Sequence, residues 1–290
     1  VRLPKDRFDY SAIIDRAPLK LPGDARLVVW TIVNVEEWNM EGPMPRVVLS
    51  TPAGASVVPD VPNWSWHEYG MRVGFWRLKA ALDLHDIRPT MAVNASVCSS
   101  YPRIASAALE SGWEFMGHGY KQRALPLEQD QREVIGQSID TIRKFTGRAP
   151  RGWLGPGLAE SWETPDLLAE AGIEYLCDWV ADEQPFAMNT RSRPLTVLPY
   201  TVELNDIPMI MIQHHRAEEL FNRARDQFDR LYEESNASAR IMSIAVHPYI
   251  TGVAHRIKYF EAIYEYMKRK PGVLFWTGEQ ILDWYLACVR

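Results

Sequence analysis

Two adjacent carboxylates at the end of an apolar run are the first residues here that could do chemistry. Residues 28–35 are interrupted only by Thr31 and Asn34, and Glu36, Glu37 and Trp38 follow at once. A run that long without polar alternation reads as a strand buried on both faces. In parallel α/β proteins, ligands gather at the carboxyl ends of such strands. A carboxylate there can take a proton from water or ligate a metal. Two histidines occupy comparable places: His118 between Gly117 and Gly119, and His247 between the run 241–246 and Pro248. Neighbouring strand residues point to opposite faces, so Asn34 and Glu36 share one. A strand that continues through Glu37 turns only one glutamate inward, whereas one that stops at Val35 leaves both free to reach a cavity. Glu36 is the favoured base. Glu37 reads equally well as a salt-bridge partner.

Further polar and aromatic residues follow other strand-like runs. Arg148 and Trp153 bracket the run near residue 150, Asp178 and Asp182 follow 173–176, and Trp38 and Trp66 flank the first site. Any of these tryptophans could pack in the core or line a pocket. Arg148 could bind substrate or pair with Asp178 or Asp182. Lys121 and Gln122 read as surface residues, Asp206 as a turn residue with substrate binding as the lesser alternative, and His67, His85 and His255 as structural. His214 and His215 are adjacent, and adjacent strand side chains diverge, which argues against a metal pair.

The elements that must position these groups alternate. Helical spacing is expected over 73–84, 101–110, 127–145, 164–171, 217–234, 255–270 and 279–287. Strands are expected at 90–94, 113–117, 150–154, 173–176, 195–198, 209–212, 241–246 and 273–276. Thr164-Pro165-Asp166 is a helix start with a hydroxyl cap, an early proline and an acid at the positive end. The proline-rich stretch 39–69 reads as a long irregular loop over the end of the sheet, since loops of that length in compact domains are usually functional or disordered. Strand–helix alternation without repeats or linkers predicts one α/β unit with a parallel sheet, closed into a barrel.

Composition excludes several classes. The 290 residues carry a net charge of −5, against a nucleic-acid or anionic-membrane surface. No run is long and apolar enough to span a membrane. The three cysteines, Cys98, Cys177 and Cys288, are widely spaced and form no disulfide framework. The first 20 residues lack the apolar core of a signal peptide, so a cytoplasmic protein is expected. Eleven tryptophans and twelve tyrosines leave stacking surface for a ring-shaped or sugar ligand.

His118-Gly119-Tyr120, Arg148-Ala149-Pro150-Arg151-Gly152 and Ala245-Val246-His247 resemble the histidine, arginine and closing motifs of the polysaccharide deacetylase (NodB-homology) family. The resemblance covers roughly residues 28–284. It implies a distorted, partly incomplete (β/α) barrel over 27–290, preceded by an N-terminal extension over 1–26, and a closing histidine that acts as general acid. Metal-using members carry an aspartate after the first strand and two histidines four residues apart. Here a glutamate stands at the first place and Gln122 four residues after His118. The strings Val33-Asn34-Val35-Glu36-Glu37, Glu68-Tyr69-Gly70, Pro199-Tyr200, Asn205-Asp206 and His247-Pro248 are similar to a narrower branch. That branch holds the cofactor-independent allantoinases and is close to cyclic-imide hydrolases and some peptidoglycan deacetylases.

The expectation is therefore a hydrolase of carbon–nitrogen amide bonds other than peptide bonds, acting on a small amide, imide or N-acyl sugar. Glu36, His247 and His118 would be catalytic, with His247 kept protonated by Asp178 or Asp182. Asn34, Trp38, Trp66, Arg148, Trp153 and Asp178 would bind substrate. No cofactor is required on this reading, and a homo-oligomer is expected. One alternative is a metal-dependent polysaccharide or peptidoglycan N-deacetylase, holding a divalent ion such as zinc through Glu37 and His118. The other is a non-catalytic binding protein that kept the pocket.

Overall fold

The computed structural model describes residues 2–289. Among the described residues, nine strands make one sheet: β1 (Leu27–Val35), β2 (Thr90–Val93), β3 (Glu114–Gly117), β4 (Gly152–Trp153), β5 (Tyr175–Leu176), β6 (Phe186–Met188), β7 (Leu195–Val197), β8 (Arg240–Val246) and β9 (Val273–Phe275). Their order is β6-β7-β5-β4-β3-β2-β1-β8, with β9 beside the start of β1. Every pairing is parallel except β6 with β7. The sheet curls without closing strand to strand. Its seam is bridged by the Ile241 amide donating to Glu183 O at 3.0 Å and the Ala245 amide donating to Leu204 O at 2.9 Å. This is the α/β, distorted, partly incomplete (β/α) barrel that the family resemblance implies, without the full closure expected from the alternation.

β1 shows how the sheet aims its side chains. Leu27, Val29, Val33 and Val35 pack outward, in a core with Leu78, Phe228 and Phe260 of the surrounding helices. Val28, Trp30 and Ile32 pack inward with Met116, Leu154 and Tyr175. Asn34 and Glu36 continue the inward set. Bulk inside is accommodated by glycine opposite: a Cβ on Gly152 would sit 1.9 Å from the Tyr175 ring.

The stretch 39–69 is irregular only in its first part. Val61–Tyr69 is a helix, capped by Asp60, whose carboxylate accepts from the Asn63 amide at 3.3 Å. Asp60 with Pro62 is the cap-and-proline start expected at Thr164, where the N-cap is instead Glu163 without a side-chain cap and Thr164 Oγ1 donates to Gln131 Oε1 at 2.6 Å. A π-helical turn, Gly70–Gly74, joins this helix to Phe75–Leu84. Its glycines let backbone meet backbone: a Cβ on Gly74 would lie 2.0 Å from Pro248 O, and one on Gly70 would lie 2.7 Å from Tyr249 N. The turn thus supports the loop that follows β8.

The strand expected at 209–212 is absent, and Ile207–Ile212 is a helical turn. Asn205 Oδ1 accepts the Ile207 amide at 3.0 Å and Pro208 stands in the first turn, so local capping overrides the apolar run. β7 takes β6 as its antiparallel partner instead. Ahead of β1, Arg7 is buried against Asp166 at 2.8 Å and Arg16 pairs with Asp182 at 2.6 Å. Among the described residues, no helix is long and apolar enough to cross a membrane.

At the amino end of β3, Glu114 lies inside the barrel, accepting from Tyr175 Oη and Thr90 Oγ1, each at 2.6 Å. Thr90 Oγ1 in turn accepts from Trp30 Nε1 at 2.7 Å. Burial, with the charge of Glu279, pushes the Glu114 carboxyl up to about 7. A carboxyl whose folded pKa is raised contributes stability below its unfolded value of 4.5 and loses it as pH rises through about 7. Glu114→Gln removes that loss while keeping two hydrogen-bonding atoms. Thermal melts of the variant should therefore show a gain over the parent at pH 8, worth about 3 kcal/mol at most, that vanishes near pH 4.5. An equal difference at both pH values would contradict this assignment.

Candidate active site

The site forms where β1, β3 and β8 end. β1 stops at Val35, and Glu36 keeps the inward direction. Its side chain is only 3% exposed. Oε1 lies 3.4 Å from His247 Nε2, 3.6 Å from His118 Nε2 and 2.7 Å from Gln122 Nε2, which donates to it. Glu37 turns elsewhere: its amide donates to Asn94 Oδ1 at 2.8 Å and its carboxylate lies 3.6 Å from Lys121 Nζ. Alternation thus separates the two glutamates even though the strand has ended.

His247 is held by a carboxylate that sequence reasoning assigned to a turn. Its Nδ1 is 2.6 Å from Asp206 Oδ1, and its amide donates to Asp206 Oδ2 at 2.8 Å. Thr251 Oγ1 donates to the same Oδ2 at 2.6 Å. Asp206 is fully buried. Asp178 and Asp182, the expected partners, do not fill that role. Asp182 is engaged by Arg16, while Asp178 accepts the Gly155 amide at 2.7 Å and is held up by burial and by neighbouring Glu160.

The electrostatics follow from this geometry. Burial opposes the charged imidazolium, but Asp206 and Glu36 outweigh it and raise His247 to about 9. Burial likewise pushes Glu36 up, yet the charge of neighbouring His247 holds its carboxyl well below the usual range. Near neutral pH the pair is carboxylate and imidazolium. His118 Nδ1 lies 2.6 Å from Leu154 O, which can only accept, so Nδ1 carries a proton and Nε2 faces Glu36. Glu36 Oε2 and His118 Nε2 are both buried without a protein partner.

Other predicted residues divide cleanly. Trp38 and Trp66 belong to a rim with His67 and Tyr249: ring centroids are 4.6 Å apart for Trp38–His67, 4.9 Å for Trp66–Tyr249 and 4.3 Å for His67–Tyr249. Tyr249 sits 5.7 Å from the His247 ring. Asn34 is buried beneath, with its amide donating to Val246 O at 3.3 Å, and so ties β1 to β8. Arg148 precedes β4 and therefore lies at the opposite end of the sheet, paired with Glu279 at 2.7 Å. Trp153 alternates outward into the helix layer with Ile139 and Leu168 and touches no part of the site.

Gln122, Asp206, His67 and Arg46 also stand at the site, and the sequence reading placed none of them there. His67 Nδ1 is bonded to Asn63 O at 2.7 Å, and burial lowers this imidazole to about 4, so it stays neutral with Nε2 free of protein partners. Arg46 donates to Tyr249 Oη at 3.4 Å and lies 5.4 Å above the Trp38 ring. A cleft of about 750 Å³ is lined by Trp38, Arg46, Lys121, Gln122 and Arg123, and Gln122 connects it to Glu36. The spacing from His118 was a signal for Gln122. For Arg46, its place in the proline-rich cover was the only one.

The donor set does not fit the divalent ion implied by the family resemblance. Asn94 Nδ2 donates to Gln122 Oε1 at 3.1 Å, which turns the Gln122 amide nitrogen, not its oxygen, toward Glu36. His247 carries Asp206 on one nitrogen and presents a proton on the other. Among the described residues, no three His, Cys, Asp or Glu side chains are grouped to hold a metal. No step is assigned to one.

Comparisons with known proteins agree with this architecture. The family profile described as Polysaccharide deacetylase matches residues 67–176. A putative polysaccharide deacetylase of Schizosaccharomyces pombe is 29% identical over 92% of both chains. The crystal structure of a probable polysaccharide deacetylase from Pseudomonas aeruginosa superposes with a TM-score of 0.82 at 26% identity, covering 92% of this chain and 93% of that one. A crystal structure of PuuE allantoinase gives 0.84 at 25% identity, covering 96% and 98%. Residues 67–176 thus match the polysaccharide deacetylase profile, and along most of its length the chain is similar to polysaccharide deacetylases and to PuuE allantoinase.

Proposed function

We propose that the chain hydrolyses a carbon–nitrogen amide bond, other than a peptide bond, in a small cyclic or N-acyl substrate by acid–base catalysis. The observation that carries this reading is the buried sequence Asp206–His247–Glu36, 2.6 Å and then 3.4 Å between polar atoms. It sets a base without its proton beside an acid that holds one. The cleft of about 750 Å³ suits a small molecule.

In this mechanism a water lies between Glu36 Oε2 and His118 Nε2. Glu36 takes its proton as the oxygen attacks the carbonyl carbon. The imidazolium of His247 provides positive charge beside the developing oxyanion. It then gives its Nε2 proton to the leaving nitrogen as the C–N bond breaks. The proton on Glu36 returns to His247, closing the cycle with an acid and an amine as products. Gln122 keeps the Glu36 carboxylate oriented, and Trp38, Trp66, His67 and Tyr249 bound the substrate. The similarity to PuuE allantoinase supports a ring amide as one substrate form.

Each proton-transfer group contributes typically a hundred- to ten-thousandfold. A panel of cyclic ureides, imides and N-acyl compounds should therefore yield a substrate whose kcat falls at least about a hundredfold in Glu36→Gln and in His247→Ala. Activity within tenfold of the parent in both variants would overturn the assignment.

The pH dependence has a defined sign. His247 must be protonated, so kcat/KM of the parent should decline on an alkaline limb near pH 9. Asp206 is the leading attraction that holds the proton there, so Asp206→Asn should move this limb toward lower pH. A limb that stays in place would show that Asp206 does not set the acid.

A further inference from the structure

Arg46 has no structural partner equal to its charge. It stands half-buried in the cover over the site, and among the described residues its one hydrogen bond to protein is the long contact with the neutral Tyr249 hydroxyl. Among the described residues no carboxylate forms an ion pair with it. Glu36 and Asp206 lie within electrostatic reach, but both are committed to imidazoles. The other cations lining the cleft are compensated, Lys121 by Glu37 at 3.6 Å and Arg123 by Glu128 at 3.5 Å. The Trp38 ring beneath Arg46 fixes the guanidinium plane but neutralises nothing. A guanidinium pulled partly out of water is costly unless an anion pairs with it, and its planar fork of donors matches a carboxylate.

Position restricts what that anion can belong to. One aromatic side chain, Tyr249, separates Arg46 from the imidazole of His247. A group held by Arg46 is therefore part of the same small molecule whose amide lies over Glu36 and His247. We propose that Arg46 is a specificity-determining residue that binds a free carboxylate of the substrate, so that the preferred substrates are small amides, imides or ureides bearing a carboxylate. This rests on the hydrolase reading above and narrows it to anionic substrates, because the carboxylate is present before hydrolysis and is not the one hydrolysis creates.

The test compares N-acetylglycine with its uncharged counterpart N-acetylglycinamide, by calorimetric binding to the full chain and, in parallel, by release of acetate. A charge-assisted hydrogen-bonded pair is worth about ten- to a hundredfold in affinity. The acid should bind at least tenfold more tightly than the amide, the preference should disappear in Arg46→Gln, and Arg46→Lys should retain part of it. Equal binding of the two compounds, binding of neither, or a preference unchanged in Arg46→Gln would overturn the inference. Binding preference and acetate release are read separately. Selective binding of the acid without turnover of any amide in the substrate panel would contradict the hydrolase reading alone. Turnover of neutral and anionic amides with equal kcat/KM would contradict the carboxylate assignment alone.

Discussion

A buried ion pair between Glu36 and His247 is the constraint on which the rest of the site depends. Two charges in a low-dielectric interior are expensive unless each is paired and hydrogen-bonded. Here the cost is offset by a second carboxylate, Asp206, and by the donors Gln122, Thr251 and the His247 amide. Removing His247 would leave two buried carboxylates, Glu36 and Asp206, without the cation between them. The parallel pairing of β1 with β8 brings the two together, since Val33 lies opposite Val246 and Glu36 and His247 follow within three residues of that pair.

That pairing also explains what could be read from sequence. Glu36 and His247 both follow long uninterrupted apolar runs, and such runs identify buried parallel strands with little ambiguity. Alternation along β1 correctly separates Glu36 from Glu37. The partners are different. Asp206 reaches His247 because the segment after β7 crosses the open seam of the barrel, where the Leu204 carbonyl takes the Ala245 amide. Nothing local to Asp206 records that crossing. Gln122 was visible only as the absence of a histidine, although its amide bonds the Glu36 carboxylate directly.

Where motif likeness misled, strand direction supplies the reason. Arg148 comes before β4, and residues that precede a parallel strand lie at the end of the sheet away from the site. Trp153 is within β4 and alternates to the helix side, where Gly117 leaves room for its ring. The proline-rich cover was legible as a functional segment but not as one that carries Arg46 and a helix with His67. Its prolines obscured the cap at Asp60, and the close backbone approach of Gly70 and Gly74 to the His247 loop is a tertiary fact.

The central claim is that the site is charged before substrate arrives, with His247 protonated and Glu36 not. Nitrogen-detected NMR of the His247 ring across a pH series tests it without any substrate. The account predicts a doubly protonated ring at pH 7 that loses its proton near pH 9. A ring that is neutral at pH 7, titrating at or below the ordinary histidine value of 6.5, would contradict it.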